Sequence, residues 1–273
     1  MAGSSASSRP IIGKVGVLAL GLTAALWQSA WSQGAPGTPD ITPEPPAVAK
    51  ECGETSVGAT PLPNSALALE KRKQVKILAI GASSAAVLGL GRDGNPPLLE
   101  QILERNIKGL DVEIINRGFS GELADAAGER MKLEVALNQP DLVLWQVGTN
   151  DALAYVSVPH IKATVVDTVR WLRNRKVDVI LVGLQYAGGM AQNEQYIAVR
   201  DALRQIAMRE NVMIIRRDEA MQVINEAKRE GGGLLPDEFE QTEAGYTCLA
   251  QYVARAIALG VFGKALRRDN REE

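Results

Sequence analysis

Two strand-like segments of this 273-residue chain end in small and polar residues whose types suit acyl transfer. An apolar run at 75–80 leads into 81–84 (Gly-Ala-Ser-Ser), and a second run at 142–147 leads into 148–151 (Gly-Thr-Asn-Asp). A serine hydroxyl can attack a carbonyl, while backbone N–H groups and a carboxamide can stabilise the oxyanion that forms. Ser83 and Asn150 are therefore candidates for one site.

A third segment near the C-terminus, 237–240 (Asp-Glu-Phe-Glu), carries carboxylates and no histidine. Asp237 and Glu240 precede a predicted helix, and the only histidine of the chain, His160, lies elsewhere. A glutamate can accept a proton, but its ordinary pKa of about 4.3 makes it a weak base for a hydroxyl. Two neighbouring carboxylates should also raise the pKa of one of them. We expect Glu240 and Asp237 to handle the proton, with turnover favoured in acid.

The elements that must position these residues alternate between strand and helix. Five such repeats favour a parallel sheet covered by helices on both faces, with sites at the carboxyl ends of the strands. This rule adds Gly118, which follows the second strand. The predicted strands are 75–80, 111–115, 141–147, 177–182 and 212–215, and the predicted helices are 98–107, 122–137, 161–173, 193–209, 219–229 and 243–259.

These segments resemble the SGNH, or GDSL, hydrolase superfamily over about residues 75–260. The resemblance implies an α/β fold, a three-layer αβα sandwich with a five-stranded parallel sheet of flavodoxin-like type. It also implies a serine ester hydrolase that needs no cofactor. The family nucleophile maps onto Ser83, although Ala82 stands where the family has aspartate. Ser84 remains an alternative nucleophile.

The resemblance assigns the other site residues in the same way. The backbone N–H groups of Ser83 and Gly118 and the amide of Asn150 are expected to hold the oxyanion. The family's Asp-x-x-His block corresponds to Asp237 and the three residues after it, so Glu240 occupies the histidine position. The implied substrate is a carboxylic ester, such as an acyl or acetyl group on an envelope glycan.

Because Glu240 stands in place of the family histidine, functions other than ester hydrolysis remain as alternatives. One alternative is a catalytically inactive binding protein of the cell envelope that keeps the cleft, and a second is a structural envelope component. His160 is predicted to lie at a helix start on the surface rather than to act as the base. The stretch 89–94 matches a dinucleotide fingerprint only in its letters, because no strand leads directly into it and no helix directly follows it.

The N-terminal sequence predicts export. Residues 1–32 have the basic start, apolar run and small-residue cleavage pattern of a signal peptide, and the apolar run is too short to span a membrane. We expect a flexible leader rich in Pro and Gly at 33–66, the hydrolase-like domain at 67–264 and a charged tail at 265–273. The predicted location is therefore periplasmic or secreted.

Composition and cysteine usage limit the remaining functions. With 30 basic and 32 acidic residues the net charge is -2, which gives no reason to expect nucleic-acid binding. No His, Cys and carboxylate spacing suggests a metal. In an exported chain, Cys52 and Cys248 are expected to form a disulfide, although two separate thiols are an alternative.

Overall fold

The fold is a parallel sheet between two layers of helices. The computed structural model describes residues 45–53, 60–81, 97–185, 188–190, 192–230 and 242–269, and within them five strands form one sheet in the order β2-β1-β3-β4-β5. All four strand pairs are parallel, which confirms the predicted fold class. The strands are β1 (Gln74–Gly81), β2 (Asp111–Gly118), β3 (Leu142–Gln146), β4 (Asp178–Val182) and β5 (Met213–Ile215).

Helices follow the strands and bury both faces of the sheet. Ile77 and Leu78, neighbours in β1, are both fully buried, but they belong to different apolar clusters because successive side chains of a strand point to opposite faces. The described helices are α1 (Pro63–Arg72), α2 (Leu98–Asn106), α3 (Ala124–Asn138), α4 (Thr149–Leu153), α5 (Val158–Asn174), α6 (Glu194–Arg209), α7 (Arg217–Glu230) and α8 (Glu243–Asp269). The cluster around Ile77 includes α1, α2, α7 and α8, whereas α3, α5 and α6 pack around Leu78.

None of the described helices combines the length and apolar character that crossing a bilayer requires.

The packed domain begins earlier than the predicted boundary at residue 67. Leu62 is only 2% exposed, and its N–H donates to the carbonyl of Gly260 in α8. Helix α1 starts directly afterwards with Pro63, a residue suited to the first turn of a helix because its missing N–H would have no partner there. The last part of the predicted leader therefore packs on the domain. Helix α8 likewise continues past 264, into the predicted tail.

A buried carboxylate fixes the start of α1 to the sheet. Asp178, the first residue of β4, accepts hydrogen bonds from the N–H and hydroxyl of Ser65 and from the side chain of Asn64, each at 2.8 Å. The carboxylate thus satisfies N–H donors that the first turn of a helix leaves unpaired. Although these bonds favour its ionised form, burial raises the pKa of Asp178.

The predicted disulfide is confirmed. Cys52 and Cys248 are bonded across a sequence separation of 196, and both side chains lie in the core. Two further contacts hold the same N-terminal segment on α8, because the Tyr252 hydroxyl donates to the carbonyl of Cys52 and the N–H of Ala49 donates to Gln251 Oε1. This segment is therefore tied covalently and by hydrogen bonds to the last helix.

Removing this bond should destabilise the domain. We expect the double variant Cys52→Ala/Cys248→Ala to lose about 2–4 kcal/mol of the free energy of unfolding, because the unfolded chain is no longer constrained by a long closed loop. Urea unfolding of parent and variant measures the difference. The parent treated with reductant serves as a control and should approach the variant. A parent whose unfolding midpoint is insensitive to reductant would contradict this expectation.

Candidate active site

The carboxyl ends of three adjacent strands, β2, β1 and β3, lie side by side. Gly81, the last residue of β1, lies in register with Gly118 of β2 on one side and with Gln146 of β3 on the other. Neighbouring strands are about 4.8 Å apart. The chain passes from β1 to β2 on one side and then to β3 on the other, so this point is the topological switch point where α/β proteins of this strand order bind ligands.

The end of β1 requires glycine. Gly81 has φ +114°, which residues with side chains rarely adopt, and a Cβ at this position would lie 2.1 Å from the backbone oxygen of Gln146. The carbonyl of Gly81 accepts the N–H of Phe119, at 3.0 Å, which joins the end of β1 to the start of the loop after β2. Two residues later comes Ser83, which lies outside the described residues.

Asn150 lies in the first turn of α4, directly after β3. Its side-chain amide donates to the carbonyl of Glu122, at 3.0 Å, so the carboxamide is held against the loop that follows β2. An amide nitrogen carries two hydrogens, and this bond uses one of them. The structure therefore brings Asn150 to the loop after Gly118, as two parts of one site require.

Asp151 reinforces the same connection from a buried position. It is 2% exposed, and its Oδ1 accepts the N–H of Ala124, the first residue of α3, at 2.9 Å. Burial raises the pKa of Asp151, although backbone hydrogen bonds and the charge of His160 act in the opposite direction. Asn150 and Asp151 together attach α4 to the loop and helix that follow β2.

The N–H of Gly118 points away from β1. Because the N–H of Phe119 reaches the carbonyl of Gly81, and neighbouring N–H groups of a strand point to opposite sides, the Gly118 N–H faces the free edge of β2. There it donates to Oδ1 of Asn116, at 2.9 Å. The role predicted for Gly118 would require this N–H to leave Asn116 and turn inward.

Gly121 is a second glycine of the same loop, and the sequence reasoning did not consider it. It has φ +80° and precedes Glu122, whose carbonyl holds the Asn150 amide. A Cβ at this position would meet no atom within 4 Å. The pair of glycines in 118–121 was visible in the sequence, but choosing between them needs the direction of each N–H, which only the strand register supplies.

Thr149 connects the site to the loop after β4. Its hydroxyl oxygen accepts the N–H of Gln185, at 2.9 Å, and the carbonyl of Gln185 accepts the hydroxyl of Tyr196 in α6. Thr149 thus links the start of α4 to the loop after β4 by a long-range contact.

His160 lies near the start of α5 and is mostly exposed. Its Nε2 is 3.9 Å from Oδ1 of Asp125, in the first turn of α3, and both side chains are more than half exposed. This placement agrees with the surface position that we predicted for it. An exposed pair at this distance contributes little to stability.

The remaining candidates cannot be placed. Ser83, Asp237 and Glu240 lie outside the described residues, as do Ser84 and the 89–94 stretch, so their assignment stays a prediction. In the part of the chain that the structure describes, no group of three or more His, Cys, Asp or Glu side chains is arranged to hold a metal ion.

Comparison with known proteins places this site in a family. The model of the Non-GDSL lipase-like family matches residues 51–262, which span the sheet, its helices and the disulfide. The chain belongs to the Non-GDSL lipase-like family. No curated protein sequence matches the chain.

Solved structures with the same fold come from lipolytic enzymes and esterases. A lipase/acylhydrolase from Enterococcus faecalis is 23% identical, with a TM-score of 0.53 over 68% of this chain and 96% of that protein. A variant of an acetyl xylan esterase from Geobacillus stearothermophilus is 20% identical, with a TM-score of 0.51 over 68% of this chain and 95% of that protein. These similarities confirm the SGNH hydrolase fold that the sequence predicts for this family member.

Proposed function

We propose that this member of the Non-GDSL lipase-like family is an exported ester hydrolase whose nucleophile is Ser83. The observation that carries the proposal is the register of Gly81 with Gly118 and Gln146 at the switch point of the sheet. Ser83 follows Gly81 by two residues, and Asn150 follows Gln146 by four. A nucleophile and a carboxamide donor therefore enter from adjacent strands, as acyl transfer requires.

The oxyanion is held by Asn150 and by backbone N–H groups. The Asn150 amide is already oriented by its bond to Glu122 and retains a second hydrogen. The first backbone donor is Ser83. The second comes from the loop after β2, with Gly118 and Gly121 as the candidates, and the Gly118 N–H would have to leave Asn116 to take this role.

Glu240 and Asp237 act as a coupled pair in proton transfer. In the reactive state the ionised carboxyl accepts the serine proton, and the protonated carboxyl donates a proton to the oxygen of the leaving alcohol. This state is populated between the two macroscopic pKa values of the pair, which lie on the acid side of neutrality for ordinary carboxyls. Activity should therefore have an acid optimum.

The proposed substrate and location rest on the N-terminal sequence, the disulfide and a structural neighbour. The signal-like N-terminus predicts export, and the disulfide agrees with an oxidising compartment. An acetyl xylan esterase shares the fold, so an acyl or acetyl ester on an envelope glycan is the substrate class that we propose. The competing function is an inactive envelope binding protein, which is favoured by the glutamate at position 240.

Variants of Glu240 separate these two functions. We expect the parent to hydrolyse a short-chain aryl ester with a maximum below about pH 6, because the pair consists of carboxyls. Glu240→Gln should remove this activity, and Glu240→His should move the maximum toward neutral pH. Initial rates from acid to neutral pH measure all three proteins. A parent without turnover at any pH, combined with activity in Glu240→His, would support the binding protein instead.

A further inference from the structure

One arginine of α3 contacts both ends of the loop between β2 and α3. Arg130 lies in the second turn of α3, and its Nε and Nη2 donate to the two carboxylate oxygens of Glu122 at 2.8 and 2.7 Å. The Glu122 side chain is only 5% exposed, and that of Arg130 is 28% exposed. This fork geometry, together with the burial of the carboxylate, distinguishes the pair from an ordinary surface ion pair.

The same guanidinium reaches the end of β2. Its Nη2 also donates to the carbonyl of Arg117, at 2.7 Å, and Arg117 immediately precedes Gly118. At the other end of the loop, the carbonyl of Glu122 accepts the Asn150 amide. Arg130 is thus bonded to the residue before one candidate oxyanion donor and to the residue that orients another.

The loop between these contacts is short. Phe119 is held by the carbonyl of Gly81, and the N–H of Glu122 donates back to the carbonyl of Phe119, at 3.2 Å, which closes a tight turn with Gly121 inside it. The positions of Gly118, Gly121 and the Asn150 carboxamide therefore depend on one another. A shift of Glu122 would move all of them relative to the end of β1.

We infer that Arg130 is a positioning residue that fixes the oxyanion-binding groups relative to the end of β1. The inference rests on the proposed function, because it assumes that these groups hold an oxyanion. Arg130 does not touch the reacting atoms. It acts through the Glu122 carboxylate and the Arg117 carbonyl, which it holds with three hydrogen bonds from one rigid planar group.

Lysine should not replace this arginine fully. An ammonium group keeps the charge but lacks the planar fork that binds two carboxylate oxygens and a carbonyl at once. Loss of the charge has a different consequence, because it leaves the buried Glu122 carboxylate without its partner. The two substitutions therefore separate geometry from charge.

The chain offers a matched control in a second forked pair. Arg170 Nε and Nη2 donate to the two carboxylate oxygens of Glu210 at 3.1 and 2.7 Å. Arg170 lies in the last turns of α5, which leads into the amino end of β4, and Glu210 precedes β5. This pair has the same forked geometry as Arg130 and Glu122, although Arg170 is more exposed, at 61%, and Arg173 is a second partner of Glu210. It lies near the amino ends of the strands, opposite the candidate site.

The experiment compares Arg130→Gln, Arg130→Lys and Arg170→Gln in the full chain. With an aryl ester substrate, we expect Arg130→Gln to lower kcat by about 10- to 100-fold with KM changed less than about twofold, because small displacements of catalytic groups cost rates of this order. Arg130→Lys should recover only part of kcat. Amide exchange of 117–124 should become faster in both Arg130 variants, while Arg170→Gln should resemble the parent in kcat and exchange.

The outcomes distinguish this inference from the proposed function. A kcat in Arg130→Gln equal to that of the parent, or equal losses in Arg130→Gln and Arg170→Gln, would overturn the inference. If Arg130→Gln does not fold, Arg130→Lys and the doubly neutral Glu122→Gln/Arg130→Gln replace it, because neither leaves a charged partner alone. A parent without Ser83-dependent turnover contradicts the proposed function, and the exchange rates of 117–124 then decide whether Arg130 fixes the loop: faster exchange supports this, and unchanged exchange overturns it.

Discussion

Replacing Ser83 by alanine should lower kcat/KM for a short-chain aryl ester by more than about a thousandfold, because the acyl-enzyme route requires the hydroxyl as nucleophile. The residual rate should come from the oxyanion donors and substrate binding alone. Initial rates at the acid optimum of the parent measure the effect. An alkyl fluorophosphonate, which modifies activated serines covalently, should label the parent at position 83 and leave Ser83→Ala unlabelled.

The neighbouring serine is the matched control for this prediction. Ser84→Ala removes the same hydroxyl one position later, and it should keep most of the activity and the label. Loss of both in Ser84→Ala, with Ser83→Ala still active, would move the nucleophile by one residue and keep the reaction class. Equal activity of the parent and both variants would exclude serine catalysis at the end of β1.

The strands of this fold could be predicted closely because the parallel sheet is buried on both faces. Residues 75–80 and 177–182 are apolar except for Lys76 and Asp178. The observed strand Gln74–Gly81 is one residue longer at each end than the first prediction, and Asp178–Val182 starts one residue later than the second. Strand β2 was harder to delimit. It lies at an edge of the sheet, its last residues are polar and exposed, and it continues three residues past the predicted end at 115.

Elements that depend on tertiary contacts escaped the sequence analysis. Helix α1 begins inside a segment whose Pro and Gly content predicts a leader, and its first turn is stabilised by Asp178, more than a hundred residues away. Helix α4 has only five residues, too few to show a helical period. The disulfide was predictable because only two cysteines exist, so their pairing needed no geometry.

In the candidate site, too, some features can be predicted from the sequence and others depend on tertiary contacts. The strand-end rule brought Asn150 to the loop after β2, and the structure places its amide on Glu122. The rule could not show that the Gly118 N–H faces outward, because this depends on the alternation of N–H groups in the pairing of β1 with β2. Nor could it pair Arg130 with Glu122, whose separation of eight residues crosses from a loop into a helix.

Among substitutions at the carboxyl ends of the strands, Gly81→Ala should be the most damaging to folding. We expect it to lower the free energy of unfolding by more than about 4 kcal/mol, an exceptional value for one methyl group, because two penalties combine. One is the backbone conformation at φ +114°. The other is the 2.1 Å approach of the new Cβ to the Gln146 oxygen, a backbone atom that cannot move without breaking the pairing of β1 with β3.

Gly121→Ala separates these two penalties. Its φ of +80° is also unfavourable for alanine, but no atom lies within 4 Å of the added Cβ, so it should lose only about 1–2 kcal/mol. Urea unfolding of the parent and both variants gives the comparison. Equal losses would mean that β1 and β3 can separate at Gly81 and Gln146 at little cost. The alignment of the two strand ends would then be too weak to hold the segments that carry Ser83 and Asn150 next to each other.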